Sequence, residues 1–244
     1  MTPDERLSWL HGPMAIPFGV GVKLPKDVIF SAGWYPALPR LGLPQWYETD
    51  ASIGVANPMD LRRNERSTNL PSGLATAASF NPAIAYANGA MVGGEAWAKG
   101  FSVLLGGGVN LTREPRNGRN FEYLGEDPLL AGILDGEAIR GTQSQHVVST
   151  IKHYALNDQE SQRHTVNAVI DEAGLRESDL LAFEIAIERG QPGSVMCSYN
   201  LINGTPACGS DFLLNQVLKR DWGCLLYTSP SPRDRTRSRM PSSA

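Results

Sequence analysis

Short apolar runs alternate regularly with longer amphipathic segments along this chain. The apolar runs occupy residues 101–107, 147–156 and 194–200. Helical patterns lie around and between them, over residues 74–100, 127–141, 175–190 and 210–223. Strands separated by helices are joined by crossovers and therefore run parallel. Because the runs are apolar throughout, we expect both faces of the sheet to be buried.

Capping residues mark the ends of the predicted helices. Asn81 and Pro82 form an N-cap and first-turn pair, and an Asp-Pro pair opens the segment that ends at Gly141. Gly190 closes the third helix, as expected of a C-terminal glycine. A further short helix is predicted over residues 4–11. The chain is thus predicted to be an α/β protein with parallel strands and crossover helices.

Polar residues stand at the carboxyl ends of two predicted strands. Lys152 and His153 follow one apolar run, and residues 198–200 follow the next. In barrels and open α/β sheets this edge carries the chemistry. We therefore expect a functional site where these loops meet.

Composition excludes several classes of function. The net charge of −3 over 244 residues gives no sign of a nucleic-acid partner. No apolar stretch is long enough to predict a membrane span. The triple glycine at 106–108 lacks the third glycine of a dinucleotide motif, since Leu111 stands there. The four histidines show no ligand spacing, so neither a metal nor another cofactor is predicted.

The cysteines and the N-terminus leave the cellular compartment open. Three cysteines, Cys197, Cys208 and Cys224, are an odd and sparse set that does not predict a disulfide framework. Cys197 is interpreted as a small buried strand residue. The first residues are acidic and polar, unlike a signal peptide.

Four segments resemble glycoside hydrolase family 3, of the β-glucosidase type. They are GLPQWYETDASIGVANP, LLGGGVNLTREPRNGRNFEYLGEDPLLAG, STIKHYALNDQESQRH and GSVMCSYNLINGTPACGSDFLLNQVLKRDWG. Together they cover most of residues 40–223 in the order found in the family. The resemblance implies a TIM-barrel-like N-terminal domain, here an incomplete barrel over residues 1–223. It also implies β-linked glucosides as substrates and a periplasmic or secreted parent.

The resemblance implies six substrate-binding residues. Asp50 matches an aspartate that holds sugar hydroxyls, and Arg119 matches an arginine of the same subsite. Lys152 and His153 match the sugar-binding Lys-His pair of the family. Met196 and Tyr199 match residues that line the same pocket. The residue types suit this role, because carboxylates accept hydrogen bonds from hydroxyls while Arg and Lys donate them.

Several neighbouring polar residues are predicted to be structural. Arg116 and Glu122 are expected to form ion pairs that hold the loop at 112–126. Glu160, Arg163 and His164 are expected to order the loop after Lys152.

No catalytic residue is assigned. Retaining glycosidases use two carboxyl groups, one as nucleophile and one as acid/base. The resemblance implies an aspartate nucleophile beyond Gly223 and an acid/base on C-terminal domains, which are the expected partners of this chain. The chain itself is therefore predicted to be an inactive fragment of an exo-acting, retaining β-glucosidase. Because the last barrel strands are also missing, unpaired sheet edges predict that it is poorly soluble.

Two alternatives to the β-glucosidase interpretation remain. One is a β-N-acetylhexosaminidase-like member of the family, although such members resemble KHFPGHG where this chain has KHYALNDQE. The other is a carbohydrate-binding protein without catalysis. An SDW motif in frame after codon 223 would favour the enzyme.

Residues 224–244 differ from the rest of the chain. They read CLLYTSPSPRDRTRSRMPSSA, with four Arg against one Asp and almost no apolar periodicity. The segment is predicted to be an unstructured tail that is typical of a frameshifted or adapter-derived translation. The alternative is a basic interaction tail.

Overall fold

The computed structural model describes residues 1–16 and 24–224 of the chain. The strands are β1 (Gly33–Tyr35), β2 (Trp46–Asp50), β3 (Val103–Leu105), β4 (Val148–Tyr154), β5 (Asn167–Ala168), β6 (Ser194–Cys197), β7 (Leu201–Ile202) and β8 (Thr205–Pro206). The helices are α1 (Pro3–His11), α2 (Gly73–Ala77), α3 (Pro82–Ala98), α4 (Pro128–Gln143), α5 (Glu172–Glu177), α6 (Asp179–Gly190) and α7 (Phe212–Asp221), the last with π-type hydrogen bonds.

Five strands form one sheet in the order β1-β2-β3-β4-β6. Neighbours from β2 onward are parallel, whereas β1 pairs with β2 in the antiparallel direction. A smaller sheet contains β5, β7 and β8. The parallel strands and the helices between them confirm the predicted α/β architecture of an incomplete barrel. The antiparallel β1 is an addition that the alternation of segments did not predict.

Two predicted helices are each divided into two. The segment at 74–100 forms α2 and α3, because Asn81 caps a new helix by accepting a hydrogen bond from the Ala83 amide at 3.0 Å. The segment at 175–190 forms α5 and α6, which meet at Ser178. Asp171 caps α5 through the Gly174 amide at 2.9 Å, so this helix begins earlier than predicted. The segment at 210–223 is helical from Phe212 to Asp221.

Helices α3 and α4 cross at glycines. A Cβ atom on Gly89 would lie 2.0 Å from the carbonyl oxygen of Ala138, and one on Gly141 would lie 2.1 Å from that of Tyr86. These distances leave no room for a side chain between the two helix backbones. The crossing brings α4 onto the sheet, where it covers the strands that support the loops of the site.

Replacing Gly89 by Ala is therefore expected to destabilise the chain by about 2 kcal/mol, because the helices must separate. Gly94→Ala is the matched control on the same helix. Its Cβ atom would meet only the Gln145 side chain, at 3.5 Å, so the higher helix propensity of Ala should stabilise it slightly. Urea denaturation of both variants measures the difference, and equal effects would contradict the close crossing.

The apolar core lies between the sheet and the helices that cover it. Tyr154 is fully buried at the end of β4, and its ring meets Phe183 of α6 edge-on at 5.1 Å. Its hydroxyl donates to the carbonyl oxygen of Leu213 at 3.0 Å. No helix in the described ranges is long and apolar enough to cross a membrane. The predicted tail lies outside the described residues, apart from Cys224.

Candidate functional site

A pocket of about 640 Å³ opens at the carboxyl ends of the parallel strands. The loops after β2, β3 and β4 and the end of β6 all contribute to its walls. The structure brings all six predicted substrate-binding residues to this one pocket: Asp50, Arg119, Lys152, His153, Met196 and Tyr199. Residues that lie far apart in the sequence therefore face a common space, as expected when loops leave the same edge of a parallel sheet.

Lys152 is the buried cation of the pocket. It lies in β4, and its side chain is only 2% exposed. Its Nζ atom donates to the carbonyl oxygen of Leu105 at 2.7 Å and lies 3.2 Å from Oε2 of Glu122. Asp50 is more distant, with 3.9 Å between Nζ and Oδ1. A buried ammonium group is tolerated only with such compensation, which fixes the position of the charge.

Glu122 is the main site residue that the sequence analysis did not assign to the pocket. It closes a short 3₁₀ helix, Asn120–Glu122, and accepts short hydrogen bonds from Ser52 and from the Arg119 guanidinium. Burial alone would raise the pKa of Glu122, but Lys152 and Arg119 outweigh it and hold the pKa at about 2. Glu122 is thus an anion that joins Lys152 and Arg119.

The predicted ion pairs of the 112–126 loop divide into two kinds. Glu122 does form ion pairs, but with the pocket residues Arg119 and Lys152. Arg116 instead pairs with Glu114 at 2.9 Å on the exposed surface. No sequence signal identified Glu122 as a pocket residue, because the burial of Glu122 and Lys152 and their pairing are set by the fold.

His153 is held as a neutral ring with a defined tautomer. Arg119 can only donate, so the contact of 2.9 Å from its Nη2 atom makes Nε2 of His153 the acceptor. Nδ1 therefore carries the proton and donates to the Tyr123 hydroxyl at 3.1 Å. Burial lowers the pKa of His153 to about 3, with help from the charges of Lys152 and Arg119.

The second layer around His153 fixes its backbone and its partner. The side chain of Asn110 accepts from the His153 amide at 2.7 Å and donates to the His153 carbonyl at 2.9 Å. Asn157 donates to the Tyr123 hydroxyl at 2.9 Å. These contacts hold the His153 ring in one orientation, in which its Nε2 atom faces Arg119.

The accessible side of the pocket includes Asp50, Met196 and Tyr199. The Asp50 side chain is 64% exposed at the end of β2, so its carboxylate is free to accept hydrogen bonds from a ligand. Met196 is half-buried in β6. Tyr199 is 52% exposed and presents an aromatic face. Such a face packs against the C–H surface of a sugar ring.

The residues after Lys152 pack against Tyr199 as a group. The His164 ring lies 4.9 Å from that of Tyr199, and the Arg163 guanidinium lies 5.0 Å from the Tyr199 ring centre. Arg163 also pairs with Glu160 at 3.1 Å. This agrees with the expected ordering of the loop, and Arg163 additionally lines the pocket.

Besides Asp50 and Glu122, the pocket contains the carboxyl group of Glu48, which the sequence analysis did not name. It lies two residues before Asp50 in β2 and lines the same pocket. Burial raises the pKa of Glu48, the hydrogen bond from Tyr35 at 3.2 Å lowers it, and the negative charge of Asp50 raises it.

The cysteines, which did not predict a disulfide framework, form one disulfide, and the interpretation of Cys197 as a small buried residue is wrong. Cys197 and Cys208 are bonded, with their Cα atoms 5.2 Å apart. Cys197 lies half-buried at the end of β6. The count of three concealed the pair, because one bridge and one further cysteine also add up to three. The bridge closes the loop that begins with Ser198 and Tyr199.

The site offers hydrogen-bond acceptors and donors around a space of suitable size for a sugar. Within the described part of the chain, no group of three or more His, Cys, Asp or Glu residues is arranged to hold a metal ion. A parallel α/β half-barrel with a polar pocket at its carboxyl edge has the form of the active-site face of a barrel enzyme.

Comparison with known proteins identifies the family within that class. Residues 34–225 match the model of the glycosyl hydrolase family 3 N-terminal domain. The chain therefore belongs to glycoside hydrolase family 3, which confirms the resemblance. It is 40% identical over 201 residues to β-glucosidase BoGH3A of Bacteroides ovatus, covering 78% of the chain and 27% of that relative.

A second relative and a solved structure are also β-glucosidases. Thermostable β-glucosidase B of Acetivibrio thermocellus is 40% identical over 189 residues, covering 75% of the chain and 25% of the relative. β-Glucosidase 3B of Thermotoga neapolitana, solved with α-D-glucose, superposes with a TM-score of 0.81 at 35% identity, covering 90% of the chain and 31% of that structure. The chain thus spans about a quarter to a third of the length of these relatives.

Proposed function

We propose that the pocket binds the terminal glucosyl unit of a β-linked glucoside, as part of a retaining, exo-acting β-glucosidase. The observation that carries this proposal is the convergence of Asp50, Arg119, Lys152 and His153 on one pocket. Relatives named β-glucosidases and a matching structure that contains glucose support it. The remaining domains of the longer protein are the proposed partners of this chain.

The charges of the site suit neutral polyhydroxyl ligands. Glu122 already neutralises part of the charge on Lys152 and Arg119. Their remaining N–H groups are available as donors, while the exposed Asp50 carboxylate can accept from two adjacent hydroxyls. Hydrogen bonds to charged groups are stronger and more directional than neutral ones, so they select the orientation of the sugar.

Replacing Asp50 by Asn is expected to weaken D-glucose binding by about tenfold or more, because it replaces charge-assisted hydrogen bonds that are worth about 1.5–3 kcal/mol. Asp50 is exposed, so folding should be unaffected. Isothermal titration of the chain with D-glucose measures the loss. Asp60→Asn, a change at an exposed residue that does not line the pocket, is the matched control and should bind like the parent. Equal affinities of all three proteins would contradict the assignment of Asp50.

The catalytic part of the proposal is tested on the full-length gene product. Retention predicts that the first sugar released from an aryl β-glucoside is β-glucose, which proton NMR distinguishes from the α anomer before mutarotation. Release of α-glucose first, or the absence of hydrolysis, would contradict a retaining β-glucosidase.

A further inference from the structure

Asp135 is a buried carboxyl group that the proposed sugar contacts do not use. It lies in the middle of α4 and is 3% exposed. Its Oδ2 atom has no hydrogen-bond partner among the residues that the structure describes. A buried carboxyl oxygen without a partner is costly, so its retention inside a packed helix face calls for a physical reason.

A cavity of about 70 Å³ adjoins Asp135 on the inner side of α4. Ser149 of β4 and Asn88 of α3 supply polar walls, and Ser52 with Glu122 forms the end that borders the sugar pocket. A polar cavity of this size can hold ordered water molecules, each hydrogen-bonded to buried groups. Water is therefore the natural partner for the carboxyl group of Asp135.

Asp135 lies against the turn at residues 106–108, and the backbone of this turn is hydrogen-bonded to Lys152. A Cβ atom on Gly107 would lie 3.2 Å from Oδ2 and 3.3 Å from Oδ1 of Asp135, and Gly107 has a φ of +75° that favours glycine. The Lys152 amide donates to the Gly107 carbonyl at 2.9 Å, and the Val109 amide donates to the Lys152 carbonyl at 2.9 Å. The turn at 106–108 thus frames Lys152 on one side and contacts Asp135 on the other.

We propose that Asp135 is a positioning residue: in its protonated form, and with water in the cavity, it braces the turn at 106–108 and thereby positions Lys152. The consequence for sugar binding rests on the proposed function, whereas the bracing of the turn does not. Ionisation of Asp135 would place a buried negative charge against this turn, and the turn would loosen.

Among the described residues, the charged groups of the helices around Asp135 already have partners of their own. On α4 itself, Glu137 pairs with Arg140 and with Arg189 of α6. The charged residue of α3, Glu95, bonds to Thr68, and β3 carries none. None of these pairs includes the carboxyl group of Asp135.

The other ionisable groups near Asp135 belong to the sugar pocket. Lys152 and His153 of β4 line that pocket, and Glu122 is already paired with Lys152 and Arg119. Burial accordingly raises the pKa of Asp135 to about 7. The protonated form is therefore present near neutral pH and is lost above it.

Hydrogen exchange of the Lys152 and Val109 amides tests this directly on the complete chain. In the parent protein, protection of these two amides should fall about tenfold between pH 6 and pH 9, after correction for intrinsic exchange and relative to amides of α6. In Asp135→Asn, which keeps the shape of the protonated acid, protection should not vary with pH. Glu188→Gln, which removes an exposed carboxylate of α6, should behave like the parent.

Infrared spectroscopy and glucose affinity test the protonation of Asp135 and its effect on the pocket separately. Infrared spectroscopy of the parent should show a protonated carboxyl band that is absent from Asp135→Asn and titrates near pH 7. Titration of that band near pH 4, or the same pH profile of protection in the parent and Asp135→Asn, would overturn the proposal. D-Glucose affinity should follow the protection of Lys152. An absence of glucose binding at every pH would contradict the proposed function, while the exchange data would still decide the role of Asp135.

Discussion

Replacing Glu122 by Gln is expected to lower the free energy of unfolding by about 3–5 kcal/mol and to abolish measurable glucose binding. The variant leaves Lys152 without its closest counter-ion at a site that is 2% exposed, and it also weakens the contact with Arg119. Removing one partner of a buried pair is costly because the other charge stays buried and uncompensated. Chemical denaturation followed by circular dichroism measures the change.

Glu114→Gln is the matched control for this prediction. Glu114 pairs with Arg116 on the surface, where the arginine side chain is 89% exposed. Exposed pairs contribute little, so this variant should keep the stability and the glucose binding of the parent chain. Similar losses in both variants would show that Glu122 has no special role in the pocket.

The lowered pKa of Glu122 also predicts how the free energy of unfolding depends on pH in acid. The pKa of Glu122 falls from 4.5 to about 2 in the folded chain, so its contribution is complete above pH 4.5 and is lost as the pH falls toward 2. A shift of this size corresponds to about 3 kcal/mol. The difference in unfolding free energy between the parent chain and Glu122→Gln should shrink over that pH range.

Reduction of the Cys197–Cys208 disulfide is expected to destabilise the chain by about 3 kcal/mol. The bridge spans a sequence separation of 11 residues, and the entropy of closing a loop of that length gives this magnitude. The loop contains Tyr199, so glucose affinity should fall as well. Denaturation with and without dithiothreitol measures the effect on stability.

The double variant Cys197→Ser, Cys208→Ser separates the bridge from other effects of the reductant. It should resemble the reduced parent chain and should not respond to dithiothreitol. Equal stability of the oxidised and reduced parent chains would show that the bridge does not constrain this loop.

The sequence predicted the fold well where local patterns and strand connections agree. Parallel strands followed from the alternation of segments, and capping pairs such as Asp127 and Pro128 located helix starts. The antiparallel β1 and the division at Ser178 could not be predicted. The first depends on pairing with a distant strand, and the second interrupts a segment whose apolar pattern is continuous.

The six predicted pocket residues came together because the carboxyl ends of parallel strands meet at one edge. Their contact with a sugar stays a prediction. The sequence could not place Glu122 against Lys152, since their pairing depends on how the loop after β3 folds over β4. It also missed the disulfide, because a cysteine count carries no information about distance.

Sugar binding at this pocket is tested by titrating the isotope-labelled chain with D-glucose and following the amide chemical shifts. We expect saturable shifts concentrated at Asp50, Arg119, Lys152, His153 and Tyr199, and none with L-glucose at the same concentration. Shifts that are absent, that are equal for the two enantiomers, or that cluster away from this pocket would contradict it.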